Sequence, residues 1–73
     1  MPVRNISSER TRIGMSQEAL ASYLEVSSRR LADWEVDPKK APGSILNKMA
    51  DLFGCTTDYL LGRVSERLPP KSA

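Results

Sequence analysis

Histidine is absent from this chain of 73 residues, and cysteine occurs once, as Cys55. A zinc site built from cysteine and histidine is therefore excluded, and so is a disulfide within the chain. No run of about 18 apolar residues occurs, and the first residues lack the apolar segment of a signal peptide. These absences favour a soluble cytoplasmic protein, and we expect no metal, no cofactor and no membrane contact.

Neither catalysis nor nucleic-acid binding can be inferred from the composition alone. A domain of this size buries only about 60% of the surface that its unfolded chain exposes, which leaves little room for a deep catalytic pocket. The sequence has no paired catalytic residues and no glycine-rich phosphate-binding loop, so we expect no enzymatic activity. Its 11 Lys and Arg residues against 9 Asp and Glu residues give a net charge of +2, which indicates a nucleic-acid partner only if the charge is clustered.

The most informative segment is residues 16–35, whose pattern predicts two short helices joined by a tight turn. Ser16 and Ser27 are suited to N-cap these helices, and Val26 lies between them as an apolar plug. The small side chain of Ala21 allows two steeply crossing helices to come close. The predicted inward residues are Leu20, Ala21, Leu24, Leu31 and Trp34, and the outward residues of the second helix are Ser28, Arg29, Ala32, Asp33 and Val36. This pattern is typical of a helix-turn-helix, which presents its second helix to the major groove of DNA.

Three further helices are predicted, and each ends at a glycine. The predicted helices run from Arg4 to Ile13 before Gly14, from the N-cap Ser44 to Phe53 before Gly54, and from the N-cap Thr57 to Leu61 before Gly62.

The remaining segments predict no regular structure. Residues 36–43 contain two prolines and a glycine, which favours an exposed, non-helical loop. No segment alternates with the period of a strand, so the fold class is all-α. We expect a compact five-helix domain over residues 1–62 and a polar, flexible tail over residues 63–73.

In order and spacing, these pieces resemble the helix-turn-helix domain of the lambda-repressor-like family of bacterial and phage regulators, the Cro/CI or xenobiotic-response-element type. The resemblance covers about residues 4–62. It is carried by Ser16-Gln17-Glu18, Leu20-Ala21, Val26-Ser27, Trp34-Glu35 and Asp58-Tyr59-Leu60-Leu61-Gly62. It implies a transcription regulator that binds double-stranded DNA with its third helix in the major groove.

The resemblance implies that Ser28, Arg29, Ala32 and Asp33 contact bases. Arg29 can donate two hydrogen bonds to a guanine, a contact that contributes ~1–3 kcal/mol of discrimination. Asp33 has two functional interpretations: it accepts a hydrogen bond from cytosine, or it pairs with Arg29 and holds the guanidinium flat. An ordinary pair on the helix surface is the structural alternative.

The resemblance also implies phosphate contacts. In the family a glutamine at the position of Gln17 hydrogen-bonds a phosphate beside the amides of a helix N-terminus. Ser27 begins the third helix, and Arg30 either lies against phosphate or turns away. Lys39 and Lys40 follow that helix, where family loops lie along a phosphate strand.

Two further roles come from the family. Arg10 and Glu35 match a pair that links the first helix to the end of the third, so we expect a structural ion pair. Tyr59, Leu60 and Val64 are the candidate dimer contacts, because relatives dimerise around the last helix. A homodimer on a pseudo-palindromic operator follows, with repression as the family's commonest effect.

One departure and one alternative accompany this interpretation. Glu25 stands where many relatives have glycine in the interhelical turn, and a positive φ there would cost about 1 kcal/mol. The same fold also serves antitoxins that bind a partner protein through flanking segments, and residues 63–73 are the segment that would do so here.

Overall fold

The computed structural model describes residues 4–64. Within these residues it contains five α-helices, one short 3-10 turn and no strand, which confirms the predicted all-α fold. None of the described helices is both long enough and apolar enough to cross a membrane. In chain order the elements are α1 (Asn5–Arg12), α2 (Gln17–Leu24), α3 (Ser28–Val36), the 3-10 turn (Pro38–Lys40), α4 (Gly43–Phe53) and α5 (Thr57–Leu60).

A single hydrophobic core receives at least one buried side chain from every helix. All the inward residues predicted on α2 and α3 belong to it. Each fully buried large apolar side chain contributes about 1.5–3 kcal/mol relative to an exposed one. The residues with essentially no exposed surface are Ile6, Leu20, Leu31, Met49, Phe53, Cys55 and Leu60.

Serine side chains begin α2 and α3 as predicted. The hydroxyl of Ser16 accepts a hydrogen bond from the Ala19 amide at 3.0 Å, and that of Ser27 accepts one from the Arg30 amide at 3.1 Å. Each bond satisfies one amide of a first turn that has no partner within the helix, which fixes where α2 and α3 begin.

The predicted caps of the last two helices are wrong, by two residues for α4 and by one residue for α5. Ser44 does not cap α4, because the helix begins at Gly43 and the N-cap position is occupied by Pro42, which has no side-chain acceptor. Thr56 rather than Thr57 caps α5, and its hydroxyl accepts from the Tyr59 amide at 3.1 Å. Either of two adjacent threonines satisfies the capping preference, so the sequence pattern does not distinguish them.

The segment predicted as an exposed, non-helical loop is largely ordered. Val36 still belongs to α3, Gly43 already belongs to α4, and a 3-10 turn fills much of the interval. Pro38 begins that turn, where its fixed φ fits, and it is buried. Ala41 is buried as well, so the turn lies against α3 and the core.

Side chains of α1 bind the backbone near the other end of the described chain. The side-chain amide of Asn5 donates to the Tyr59 carbonyl at 2.6 Å, and the Arg12 guanidinium donates to the Phe53 carbonyl at 2.9 Å. Arg12 also contacts the buried carboxylate of Glu9 at 3.0 Å. These bonds hold α1 against the ends of α4 and α5.

The interhelical turn has the left-handed backbone that the family resemblance suggested for a glycine. Glu25 adopts φ 59° and ψ 41°, and it is the one non-glycine residue with positive φ among residues 4–64. Its amide donates to the Ser22 carbonyl at 3.1 Å, and the Val26 amide donates to the Ala21 carbonyl at 3.0 Å. These bonds close the end of α2, so Glu25 holds a conformation in which its Cβ is crowded.

Candidate nucleic-acid interface

Helix α3 has one anchored face and one free face. Leu31, Trp34 and Glu35 are buried against the domain. The predicted base contacts share the opposite face: Arg29 and Asp33 are exposed, and Ser28 and Ala32 are partly exposed. Val36 continues this face with 51% of its surface exposed. The fold therefore brings the predicted readers together on a helix whose orientation the core fixes.

Arg29 and Asp33 do not form an ion pair among residues 4–64, although they are four residues apart on one helix. The interpretation in which Asp33 holds the guanidinium flat requires such a pair. In this structure both charged ends remain available, so each can interact with a different ligand group.

Exposed positive charge collects on α3 and on the 3-10 turn. Arg29, Arg30, Lys39 and Lys40 are all exposed, and none of them has an ion-pair partner among the described residues. Arg10, by contrast, is paired inside the domain. The net charge is small, but these four cations lie on α3 and on the turn that packs against it, and they are free to interact with phosphates.

Gln17, the first residue of α2, lies beside a buried ion pair. The Nε atom of Arg10 is 2.8 Å from Oε2 of Glu35, and the side-chain amide of Gln17 donates to Oε1 of Glu35 at 3.1 Å. Arg10 donates a further bond to the Met15 carbonyl at 2.9 Å. The predicted ion-pair residues are thus in contact, and the predicted phosphate contact Gln17 is joined to them.

Two helix N-termini, those of α3 and α4, lie close in sequence to these cations. The Ser27 hydroxyl accepts from the Arg30 amide and retains its own proton, so it can donate to a phosphate while it caps α3. The first turn of α4, which follows Lys39 and Lys40, has no side-chain cap, and Gly43 and Ser44 are exposed. The amides of this turn were not among the predicted contacts. The sequence signal for these free amides is the pair Pro42 and Gly43, neither of which has a side-chain acceptor that could cap the helix.

The predicted dimer contacts do not share one surface. Leu60 has no exposed surface and packs inside its own domain, so its assignment to a dimer contact is wrong. Tyr59 and Val64 are partly exposed and remain accessible. Residues 65–73, most of the predicted tail and of the segment in the antitoxin-like alternative, lie outside the described residues.

Comparison with known proteins identifies a family and a relative. A model of a helix-turn-helix family matches residues 6–60. The chain is 28% identical over 60 residues to the HTH-type transcriptional regulator ImmR of Bacillus subtilis (strain 168). The matched region covers 82% of this chain and 47% of that protein, so the chain spans about half the length of this relative. No solved structure gives a significant match.

Proposed function

This chain belongs to the Cro/CI-type helix-turn-helix family of transcription regulators, and from that membership we propose that it is a sequence-specific repressor. It binds a pseudo-palindromic operator in double-stranded DNA as a homodimer, and it acts in the cytoplasm without enzymatic activity. Its relative in Bacillus subtilis is named as a transcriptional regulator, which supports this assignment.

The observation that carries the proposal is the division of α3 into an anchored and a free face. Leu31 and Trp34 fix the helix in the core, whereas Arg29 and Asp33 are exposed and not paired with each other among the described residues. A rigid helix with free donors and acceptors is what base recognition in the major groove requires. Arg29 donates to guanine O6 and N7, and Asp33 accepts from cytosine N4 at a different base pair.

Selection of bound duplexes from a random pool tests this function. Arg29→Ala should relax the preference at one symmetric pair of positions and cost ~1–3 kcal/mol per half-site. Asp33→Ala should relax a different pair, because the two side chains are not joined. Lys48→Ala, which removes a cation of α4 outside the proposed interface, is the control and should leave the preferences unchanged.

Two results would contradict these assignments. If both α3 variants select the wild-type sequence, α3 is not the reading helix. If both relax the same position and the double variant adds little, Asp33 acts by supporting Arg29.

The phosphate contacts in this proposal come from Gln17, Ser27, Arg30 and the lysines of the 3-10 turn. Because buried Pro38 holds that turn against the core, Lys39 and Lys40 stand at fixed positions after α3. Replacing both lysines by alanine should weaken binding to all sequences alike. It should also reduce the slope of log affinity against log salt by about 0.9 for each phosphate that a lysine neutralises.

Lys48→Ala is the control for charge, because it removes a cation outside the proposed interface. Lys48 lies on α4, with its Nζ 5.1 Å from the centre of the Tyr23 ring. If the double lysine variant keeps the wild-type slope, the 3-10 turn does not contact the phosphates.

The dimer follows from how little one recognition helix can read. Half-sites on one side of the duplex are about 34–36 Å apart, and two copies related by a twofold axis read both of them. The domain measures 29 × 28 × 22 Å along its principal axes, so contact between the copies requires surface side chains to span the roughly 5–7 Å that remain. We assign the contact to the surface around Tyr59 and Val64. Sedimentation velocity should give a 2:1 protein–duplex complex on an operator with two half-sites, and Tyr59→Ala should weaken cooperative filling of the second half-site.

A further inference from the structure

The Glu35 carboxylate joins three helices. It projects from α3 into the interior, where Glu35 is only 5% exposed. One oxygen accepts from the Arg10 guanidinium of α1 at 2.8 Å, and the other accepts from the side-chain amide of Gln17 of α2 at 3.1 Å. This fixed, buried carboxylate therefore holds the Gln17 side chain, which would otherwise rotate about three bonds.

The charge of this group is balanced within the fold. A lone buried carboxylate near a DNA backbone would repel the phosphates, but the paired Arg10 neutralises it. The Arg10 side chain, 17% exposed, is itself fixed by a second bond to the Met15 carbonyl. Glu35 can therefore orient the Gln17 amide without adding net negative charge beside it.

We propose that Glu35 is a positioning residue for DNA binding, which acts by holding Gln17 in the orientation that contacts a phosphate. One amide proton of Gln17 is bound to Glu35, and the second remains for the phosphate oxygen. Fixing this side chain before binding removes part of the rotamer entropy that it would otherwise lose in the complex. This inference rests on the proposed function, because it requires that Gln17 face DNA.

The test measures what Gln17 contributes in the presence and absence of the carboxylate. Gln17→Ala is made in the wild-type chain and in an Arg10→Met/Glu35→Leu background, whose folding is checked by thermal melting. Affinity is measured on a duplex recovered from the random-pool selection. We expect Gln17→Ala to lower affinity about tenfold in the wild type and less than about twofold in the background without the carboxylate. Lys40→Ala is the matched control and should lower affinity by the same factor in both backgrounds.

A phosphate-resolved readout distinguishes positioning from a structural effect. Each operator phosphate is replaced in turn by a neutral methylphosphonate. The wild type should lose affinity at the phosphate that Gln17 contacts, and both Gln17→Ala and the double background should be insensitive there. Glu35→Gln offers one acceptor oxygen where Glu35 has two, and it leaves Arg10 without its carboxylate, so its folding is also checked by thermal melting. In the folded variant, the same sensitivity should be reduced.

The possible outcomes distinguish a failure of this inference from a failure of the proposed function. An equal loss from Gln17→Ala in both backgrounds overturns the role of Glu35 while DNA binding stands. No loss in the wild type removes Gln17 from the interface and overturns the inference too. If the wild-type chain selects no duplex at all, the proposed function itself is refuted.

Discussion

Replacing Glu25 by glycine should stabilise the domain, because Glu25 occupies a left-handed conformation at φ 59°. That conformation costs a residue with a Cβ about 1–2 kcal/mol. Glycine gives back about 0.4–1 kcal/mol through the greater freedom of its unfolded chain. The midpoints of these ranges differ by about 0.8 kcal/mol, which corresponds to a gain of roughly 3–6 °C in Tm for a domain of this size.

Two companion variants isolate the backbone effect when Tm is followed by far-ultraviolet circular dichroism. Glu25→Ala removes the same charge but keeps the Cβ, so it should not gain the stability that glycine gains. Ser22→Gly places a glycine at an exposed position within α2 and should cost about 0.5 kcal/mol. If the Glu25→Gly and Glu25→Ala variants melt at the same temperature, relief of the left-handed conformation is not the source of the gain and the reasoning fails.

Two further stability predictions use the same assay. Arg10→Met should cost about 3–5 kcal/mol, because it leaves the Glu35 carboxylate buried without its cation, and adding Glu35→Leu should restore much of the loss. Arg63→Met, which breaks an exposed 3.8 Å ion pair, should cost at most about 1 kcal/mol, and an equal loss from both arginines would mean that the Arg10 pair is solvated. Ser27→Ala should cost about 0.5–2 kcal/mol through loss of the α3 cap. Ser44→Ala should stay within about 0.5 kcal/mol, because Ser44 caps nothing, and a larger loss would contradict the observed start of α4.

The sequence predicted α2 and α3 well because several local signals agree there. Ser16 and Ser27 supply caps, and the apolar residues that follow each cap repeat with helical spacing. At α5 the same reasoning had four residues to work with, Thr57–Leu60, too few for periodicity to say which side chain points inward. The assignment of Leu60 to a dimer contact came from the family resemblance, and the short pattern offered nothing to correct it, although Leu60 lies in the core.

Other features depend on tertiary contacts that no local pattern encodes. The composition of residues 36–43 indicates a loop, but the burial of Pro38 and Ala41 is decided by the neighbouring α3 and core. The bond between Gln17 and Glu35 joins residues 18 positions apart, and it exists because α2 and α3 cross beside α1. The resemblance to the family suggested the Arg10–Glu35 pair, but it did not suggest that Gln17 shares the same carboxylate.

The bonds that tie α1 to the far end of the domain also set the order in which this chain can become stable during synthesis. Asn5 is made early, but its acceptor, the Tyr59 carbonyl, is added 54 residues later. Before then α1 lacks part of its packing surface, because it contacts α5 as well as α3 and α4. The α2–α3 pair needs only nearby residues and can form while the chain is still growing. The α2–α3 pair, which carries the proposed DNA-reading residues, can therefore form before α1 is secured, and the nascent chain acquires its full stability only when α5 has been made.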